Sequence, residues 1–293
     1  MHASRKAEPY ILILPALLLI LLFLGFPLVE NVGISLVRWQ LAFRDRPFVG
    51  LHNYVRVVTS GTFGKTVLTT AVWTVGGVLV QMVWGLLVAL AVDGMRRRGS
   101  RLVQSLVLLP WIVPGVVTSV IWMCMLQSDL GVVGYLINRL GGDARHVLWF
   151  SDTRLALPSV IFVNSWKAMP FWFLMIMAGL MDVPRDQLEA ARLDGASALA
   201  TFRHVTFQHL KPILASTATL TTIWTFNGFD IIWTITKGGP LDATATLPVA
   251  TYILGFTVHD YGRASAMSVV SMVIVGIVSA PYIVALSRKL RSL

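Results

Sequence analysis

The chain has 293 residues, 56% of them hydrophobic and 13% charged, with a mean hydropathy of +0.72. That is too apolar and too sparsely charged for a soluble enzyme domain, where charged residues make up about a quarter. The net charge of +10 does not indicate nucleic acid, because the basic residues stand at the ends of apolar runs rather than along one interleaved face.

Arg5 and Lys6 precede an apolar run from Tyr10 to Val29. At 1.5 Å per residue, about 20 residues cross roughly 30 Å of hydrocarbon. The run is longer than the apolar core of a cleaved signal and is read as a retained first span. Five more runs follow: Val67 to Val92, Leu102 to Leu126, Leu155 to Met181, Ile213 to Thr236, and Ala264 to Leu286. Each is predicted to be helical, since hydrocarbon satisfies no free backbone group. Pro114, Pro158, Pro170 and Pro281 are tolerable where neighbouring helices cover the freed carbonyls. The expected fold is all-α, a polytopic transmembrane bundle of six helices. Arg96, Arg97, Arg98 and Arg101 fill the short loop after the second run, and Arg288, Lys289 and Arg291 follow the last. Short basic loops stay inside, so both termini are expected in the cytoplasm.

The interval from Leu180 to Pro212 is polar yet helical in pattern. Asp186 reads as an N-cap with Glu189 three residues on, as in a capping box. Leu188, Ala191, Arg192, Gly195 and Leu199 follow at steps of three and four. Gly195 is expected to interrupt the helix and Pro212 to stop the segment. A short amphipathic helix between two spans, on the cytoplasmic side, requires a protein partner for its apolar face.

No catalytic set is visible. Cys124 is the single cysteine and lies in an apolar run, and the six histidines have no metal-ligand spacing. Gly64-Lys65-Thr66 mimics the end of a phosphate loop, but Thr59 stands where the first glycine belongs and an apolar span follows. The spans do carry polar groups. In span two, Trp73, Gly77, Gln81 and Trp84 share a face. Asn164 and Lys167 share one in span four. In span five, Trp224, Asn227, Asp230 and Thr234 fall within an arc of about 120° on a continuous helix, with Phe226 and Trp233 outside it. A charge at a helix centre costs about 2.5–3.5 kcal/mol on insertion scales, so such an arc turns inward. Aromatic faces with amides and carboxylates suit a sugar. Two blander roles stand beside this one. Tryptophans at span ends form interfacial belts. Lys167 either snorkels or pairs with a neighbouring helix, and Asn227 and Asp230 can serve as bridges to it.

Glu189-Ala190-Ala191, Asp194-Gly195-Ala196 and Pro212 resemble the EAA loop of binding-protein-dependent ABC importer permeases. Where that family usually has Leu-Pro near the loop's end, this chain has Phe207-Gln208. Other stretches carry the same resemblance: Leu109-Pro110-Trp111 with Pro114, Trp166-Lys167, Pro170-Phe171, Ala178-Gly179-Leu180, the run from Trp224 to Asp230, and Thr236-Lys237-Gly238-Gly239-Pro240 followed by Thr244, Thr246, Leu247 and Pro248. The nearest subtype is the sugar permease of the maltose, trehalose or glycerol-phosphate kind.

The resemblance implies a permease domain at residues 10–286, with an EAA coupling loop at about 182–212 and cytoplasmic tails at 1–9 and 287–293. It implies that Glu189, Ala190, Ala191, Asp194 and Gly195 dock on the ATPase, and that Trp224, Asn227, Asp230, Thr234, Asn164, Lys167 and Gln81 border the substrate pathway. The implied partners are a second permease, two cytoplasmic ATP-binding subunits and an external solute-binding protein. The membrane is the bacterial or archaeal cytoplasmic one. The chain needs no cofactor or metal and does no covalent chemistry; alternating access, driven by ATP hydrolysis in the partner subunits, moves the sugar. The alternatives are a permease of the same class for a non-sugar solute, an ion-coupled secondary transporter, which usually shows repeats absent here, and an intramembrane enzyme.

Overall fold

Helix accounts for almost all regular structure in the computed structural model, as lipid demands of so apolar a chain. It describes residues 4–291 other than 96, 129, 145 and 146; for 4–11, 97–99 and 281–291 it describes the backbone alone. Of the residues read for orientation, Arg96 therefore lies outside the described residues, as do the side chains of Arg5, Lys6, Arg97, Arg98, Arg288, Lys289 and Arg291.

Helix α1 (Ser4–Ile20) passes through a π-turn (Leu21–Gly25) into α2 (Phe26–Ser35). The short α3 (His52–Val58) precedes α4 (Phe63–Asp93). Then come α5 (Arg97–Ile112), α6 (Gly115–Met125), α7 (Val132–Arg139) and α8 (Ala156–Met181). The polar interval folds as α9 (Arg185–Leu193) and α10 (Ala198–Thr201), and a π-turn (Phe202–Thr206) leads into α11 (Phe207–Phe226). The chain ends with α12 (Asp230–Ile235), α13 (Leu247–Tyr252), a third π-turn (Ile253–Thr257) and α14 (Tyr261–Arg291).

Four described segments are long and apolar enough to cross a membrane: Leu12–Ser35, Phe63–Asp93, Ala156–Met181 and Tyr261–Ala280. Ser100–Ile112 and Gly115–Met125 meet the test together, as a pair bent by 102°. Pro114, with ψ 145°, makes that bend, because it lacks the N–H that would continue α5.

Two expectations are corrected. The run from Ile213 to Thr236 is not one helix; it breaks between α11 and α12. The Asn227 amide donates to the Ile223 carbonyl at 2.8 Å, and the Gly228 N–H turns back to the Thr225 carbonyl at 2.9 Å. A Cβ on Gly228 would stand 2.9 Å from that carbonyl oxygen and 3.3 Å from Trp73 Cζ2, so the turn is built for glycine. Pro212 does not stop the polar interval, because it lies inside α11. A helix proline forfeits one backbone bond, and neighbouring helices and local π-turns make that tolerable in membrane proteins.

The chain divides into two compact units, Met1–Gly64 with Ala250–Ile274, and Lys65–Val249 with Val275–Leu293. In the first, the most apolar stretch of Leu12–Ser35 has no buried residue. The chain after it folds back on itself. Val37 bridges Phe48, and Gln40 bridges Asp260. The buried Asn53 amide donates to the Ser35 and Val37 carbonyls at 2.9 and 2.8 Å. The Gln40 side chain donates to Asp260 Oδ2 at 2.6 Å, and Arg263 Nε donates to the same oxygen at 2.7 Å. Burial by itself would raise the Asp260 carboxyl, but the bonds from Gln40 and Arg263 outweigh it and hold the group below the usual aspartate value.

The second unit holds the main core. Val78, Ala89 and Val92 of α4 pack on Trp172, Phe173 and Ile176 of α8, with Leu210 of α11 beside them. Small residues set the approach, as is usual where lipid provides no hydrophobic drive between helices. A Cβ on Gly179 would lie 2.7 Å from Leu210 Cδ2. A second cluster joins Trp122 of α6 and Leu126, its C-cap, to Val163 of α8 and Ile231 of α12. The loop after α12 is fastened by Thr244, whose hydroxyl donates to the Gly239 carbonyl at 2.8 Å and lies 2.7 Å from that of Thr236.

Candidate functional site

The sequence pointed to two sites, and each takes shape at a helix end or helix break. At the end of α8 the chain turns through Pro184, which occupies the N-cap position of α9 with ψ 127°. Asp186 is therefore in the first turn, not at the cap, and no side-chain cap bond forms there. Its charge still meets the positive end of the helix dipole. The expected capping box is thus replaced by a proline-directed entry.

The far end of α9 closes by two backbone bonds. Gly195 N donates to the Arg192 carbonyl at 3.1 Å, and Ala196 N to the Ala191 carbonyl at 2.9 Å. This is the Schellman arrangement, and it needs the left-handed φ of +75° that Gly195 supplies. Ser197 then caps α10, its hydroxyl accepting from Ala200 N at 3.3 Å. His209 Nε2 donates to Gln187 Oε1 at 2.8 Å, tying α9 to α11. The result is a rigid hook whose outer surface has no cover. Glu189, Ala190, Asp194 and Gly195 are exposed and Ala191 is half-buried. Leu193 is 89% exposed. Among the described residues, the Glu189 carboxylate has no hydrogen bond or ion pair.

The polar groups of the spans gather at two points. At the first, α4, α8 and α11 converge. Gln81 is 0% exposed, and its Nε2 lies 3.5 Å from Thr225 Oγ1, while its Oε1 has no partner among the described residues. Trp73 Nε1 donates to the Thr225 carbonyl at 2.7 Å, and Ser165 Oγ to the Gly77 carbonyl at 3.4 Å. The missing side chain of Gly77 makes the space. A Cβ there would be 3.1 Å from Thr225 Cγ2 and 3.9 Å from Asn164 Nδ2. Gln81 and Asn164 are thus brought together.

At the second point, the two helix breaks face each other. A Cβ on Gly115, the first residue of α6, would lie 3.6 Å from Asp230 Oδ2 and 3.9 Å from Lys167 Cε. Asp230 and Lys167 therefore share a locus, with the exposed carboxylate also beside the uncapped start of α6. Lys167 is half-buried there.

The single arc expected for span five does not exist. The break leaves Trp224 on α11, Asn227 in the turn, and Asp230 and Thr234 on α12. Trp224 is exposed and packs on Phe171 with ring centroids 5.0 Å apart; Phe171 in turn meets Trp111 at 5.8 Å. Asn227 is exposed with its amide committed to Ile223, and Thr234 is half-buried. Lys65, of the misleading Gly-Lys-Thr triplet, donates its Nζ to the Leu241 carbonyl.

Thr225 and Ser165 escaped the sequence reading. The signal for the first was present, since Thr217, Thr221 and Thr225 recur every four residues and all three are buried. Taken as chemistry, both gathering points offer hydrogen-bond donors and acceptors, the first beside the Trp73 ring.

These features define a multi-pass membrane protein built around an exposed helical hook. The family of binding-protein-dependent transport system inner membrane components matches residues 81–292, and the chain belongs to it. The chain is 38% identical over 277 residues to the probable ABC transporter permease protein y4oQ of Sinorhizobium fredii, covering 94% of this chain and 88% of the relative. It is 33% identical over 266 residues to the trehalose/maltose transport system permease protein MalF of Thermococcus litoralis, covering 91% and 89%. Its fold matches a chain of the bacterial alginate ABC transporter, solved in complex with an alginate pentasaccharide-bound periplasmic protein. The TM-score there is 0.81 with 22% identity, covering 98% of this chain and 96% of the other.

Proposed function

We propose that this chain is the permease subunit of an ATP-driven importer for a di- or oligosaccharide, or a sugar derivative, delivered by an external solute-binding protein. A second permease and two cytoplasmic ATP-binding subunits complete the assembly. This chain supplies the passage and the coupling hook, and ATP hydrolysis belongs to the partner subunits. Both termini and α9 lie on the cytoplasmic side.

The observation that carries the reading is α9 itself. A helix locked at both ends, tied to α11, and presenting Leu193 and a free Glu189 carboxylate has the form of a lever waiting for its seat. Motion of an ATPase groove around it moves α8 and α11 together. Those helices carry Asn164, Lys167 and Trp224, and they flank Gln81 on α4. Asp230 and Thr234 follow on α12. The sugar assignment draws on the trehalose/maltose relative and on the alginate-bound complex of the fold match. It also draws on the pairing of aromatic rings with uncommitted amides, which suits a pyranose.

The test is reconstitution of the four-subunit complex in proteoliposomes with its binding protein. ATP-dependent uptake of labelled trehalose, maltose or a longer oligosaccharide is the expected result. Uptake of amino acids with none of any sugar overturns the substrate class. Uptake driven by an ion gradient without ATP overturns the importer reading itself.

A further inference from the structure

We propose that the outward face of α7 lies in the phospholipid headgroup layer, at the membrane surface opposite α9. The placement follows from the chain. Helix α7 precedes α8, α9 follows it, and α8 has the length of a membrane crossing. Helix α7 starts a few residues after α6 ends, so it cannot travel far from the surface.

Its inward side is fixed. Val133 packs on the cluster around Trp122 and Val163. Gly134 is buried, where a Cβ would meet the Ser128 carbonyl oxygen at 3.2 Å. Asn138 Oδ1 accepts from Ala144 N at 2.7 Å, which pins the returning chain. The helix is therefore not free to roll its other side inward. Yet that other side is apolar too. Val132 and Leu136 are exposed, and flanking Leu130 and Leu140 are 84% and 88% exposed. A helix apolar on both sides is a covered helix.

The chemistry of the outward face indicates what covers it. Tyr135 and Arg139 lie on the same side as Val132 and Leu136, and Arg139 Nη1 donates to the Tyr135 hydroxyl at 2.8 Å. This pair places an aromatic ring at the boundary. Among the described residues the remaining guanidinium N–H groups have no partner, which leaves them to phosphate oxygens while the arginine stem runs along apolar surface. An apolar stripe ending in a tyrosine–arginine pair, joined to the membrane-crossing α8, matches the pattern of an interfacial helix.

The experiment uses the assembled transporter in bilayers of phosphatidylethanolamine and phosphatidylglycerol. Spin labels are placed singly at V132C and L136C in a chain carrying C124S. Collisions with oxygen and with a water-soluble nickel chelate give the depth of each label. The expected result is a depth of about 5–10 Å below the phosphates at both positions, unchanged when the binding protein is added. Free access of the chelate overturns the proposal. So does shielding from both reagents, which places a protein on the face, and so does shielding that arises only with the binding protein. Hydroxyl-radical footprinting of the unmodified chain gives an independent reading. Oxidation of Tyr135 and Leu136 should fall severalfold in bilayers relative to detergent micelles, without binding protein present; equal oxidation in both overturns it.

Discussion

Gly85 and Trp172 stand so close that a Cβ on Gly85 would lie 2.5 Å from Trp172 Cβ and 3.0 Å from the Phe173 backbone nitrogen. No rotamer change relieves a clash with backbone, so α4 and α8 must separate if residue 85 gains a side chain. Overpacking of this kind costs about 1–3 kcal/mol. Gly85→Val should lower the thermal midpoint of the purified chain and its yield in membranes. Gly64→Ala, at a helical site with no atom within 4 Å of the added carbon, should be neutral or slightly stabilising. Equal behaviour of the two variants would remove the close-approach argument.

The hook gives a second prediction. Glu189→Lys should abolish uptake with normal membrane levels, because it reverses an exposed, unpaired charge that α9 presents to its seat. At Gly195 the constraint is conformational, since an added Cβ meets nothing within 4 Å but φ is +75°. Left-handed backbone costs an ordinary residue about 1–2 kcal/mol, and asparagine visits it most readily. Uptake should therefore fall in the order Gly195, Gly195→Asn, Gly195→Val. The ATPase should run uncoupled from transport in the valine variant. Full coupling in that variant would show that the bend is dispensable.

Asp260 sets a dependence on pH. Its folded value lies below the ordinary aspartate value of about 3.9, so its stabilisation is full above that value and is lost as pH falls through the folded one. Thermal stability should drop below about pH 4 in the wild type. Asp260→Asn should be less stable at neutral pH and should show a shallower acid decline. A variant with an unchanged pH profile would mean that other carboxylates dominate.

The pathway makes a fourth. Gln81→Leu removes a buried amide whose Oε1 has no partner among the described residues, so it should weaken uptake of some sugars more than others while binding-protein-stimulated ATPase survives. Asn227→Ala should act similarly, after allowance for the lost cap on α11. Lys167→Ala and Asp230→Ala are coupled through the shared locus at Gly115, and the double variant should recover assembly lost in either single change. Uniform loss for all sugars together with loss of the assembled complex would assign these residues to structure.

The hook was legible because its signals are local: Gly195 needs only its neighbours' carbonyls to close α9. Even so, Asp186 was read as the cap, since proline-directed entry at Pro184 competes with side-chain capping and wins here. The apolar runs were legible from composition, but their breaks were not. Asn227 and Gly228 sit within an apolar stretch, and of the two neighbours that exclude a side chain at 228, the Thr225 carbonyl belongs to the turn itself while Trp73 is supplied only by packing. Gln81 was found as a lone amide in a span. Its neighbour Thr225 was not, because a threonine can satisfy itself on its own helix and so leaves little trace of a tertiary role. The bond from Leu247 N to Thr70 Oγ1 at 2.8 Å links residues far apart in sequence, and no periodicity encodes it.

The bend at Pro114 has a consequence for water. Helix α6 has 11 residues and so rises about 16 Å, roughly half the hydrocarbon thickness. An α6 whose last turn sits at the membrane surface and whose axis runs along the normal would bring its first turn, which has no side-chain cap, and the last carbonyls of α5 near mid-depth, where hydrocarbon satisfies neither. Asp230 stands beside that first turn, but one carboxylate cannot serve both helix ends. Lys167, at the same locus, is a second partner; whatever these two side chains leave unpaired needs water, so the break is expected to hold a wet notch. A hydroxylated solute that passed such a notch would exchange one set of hydroxyl partners for another and would not be stripped bare.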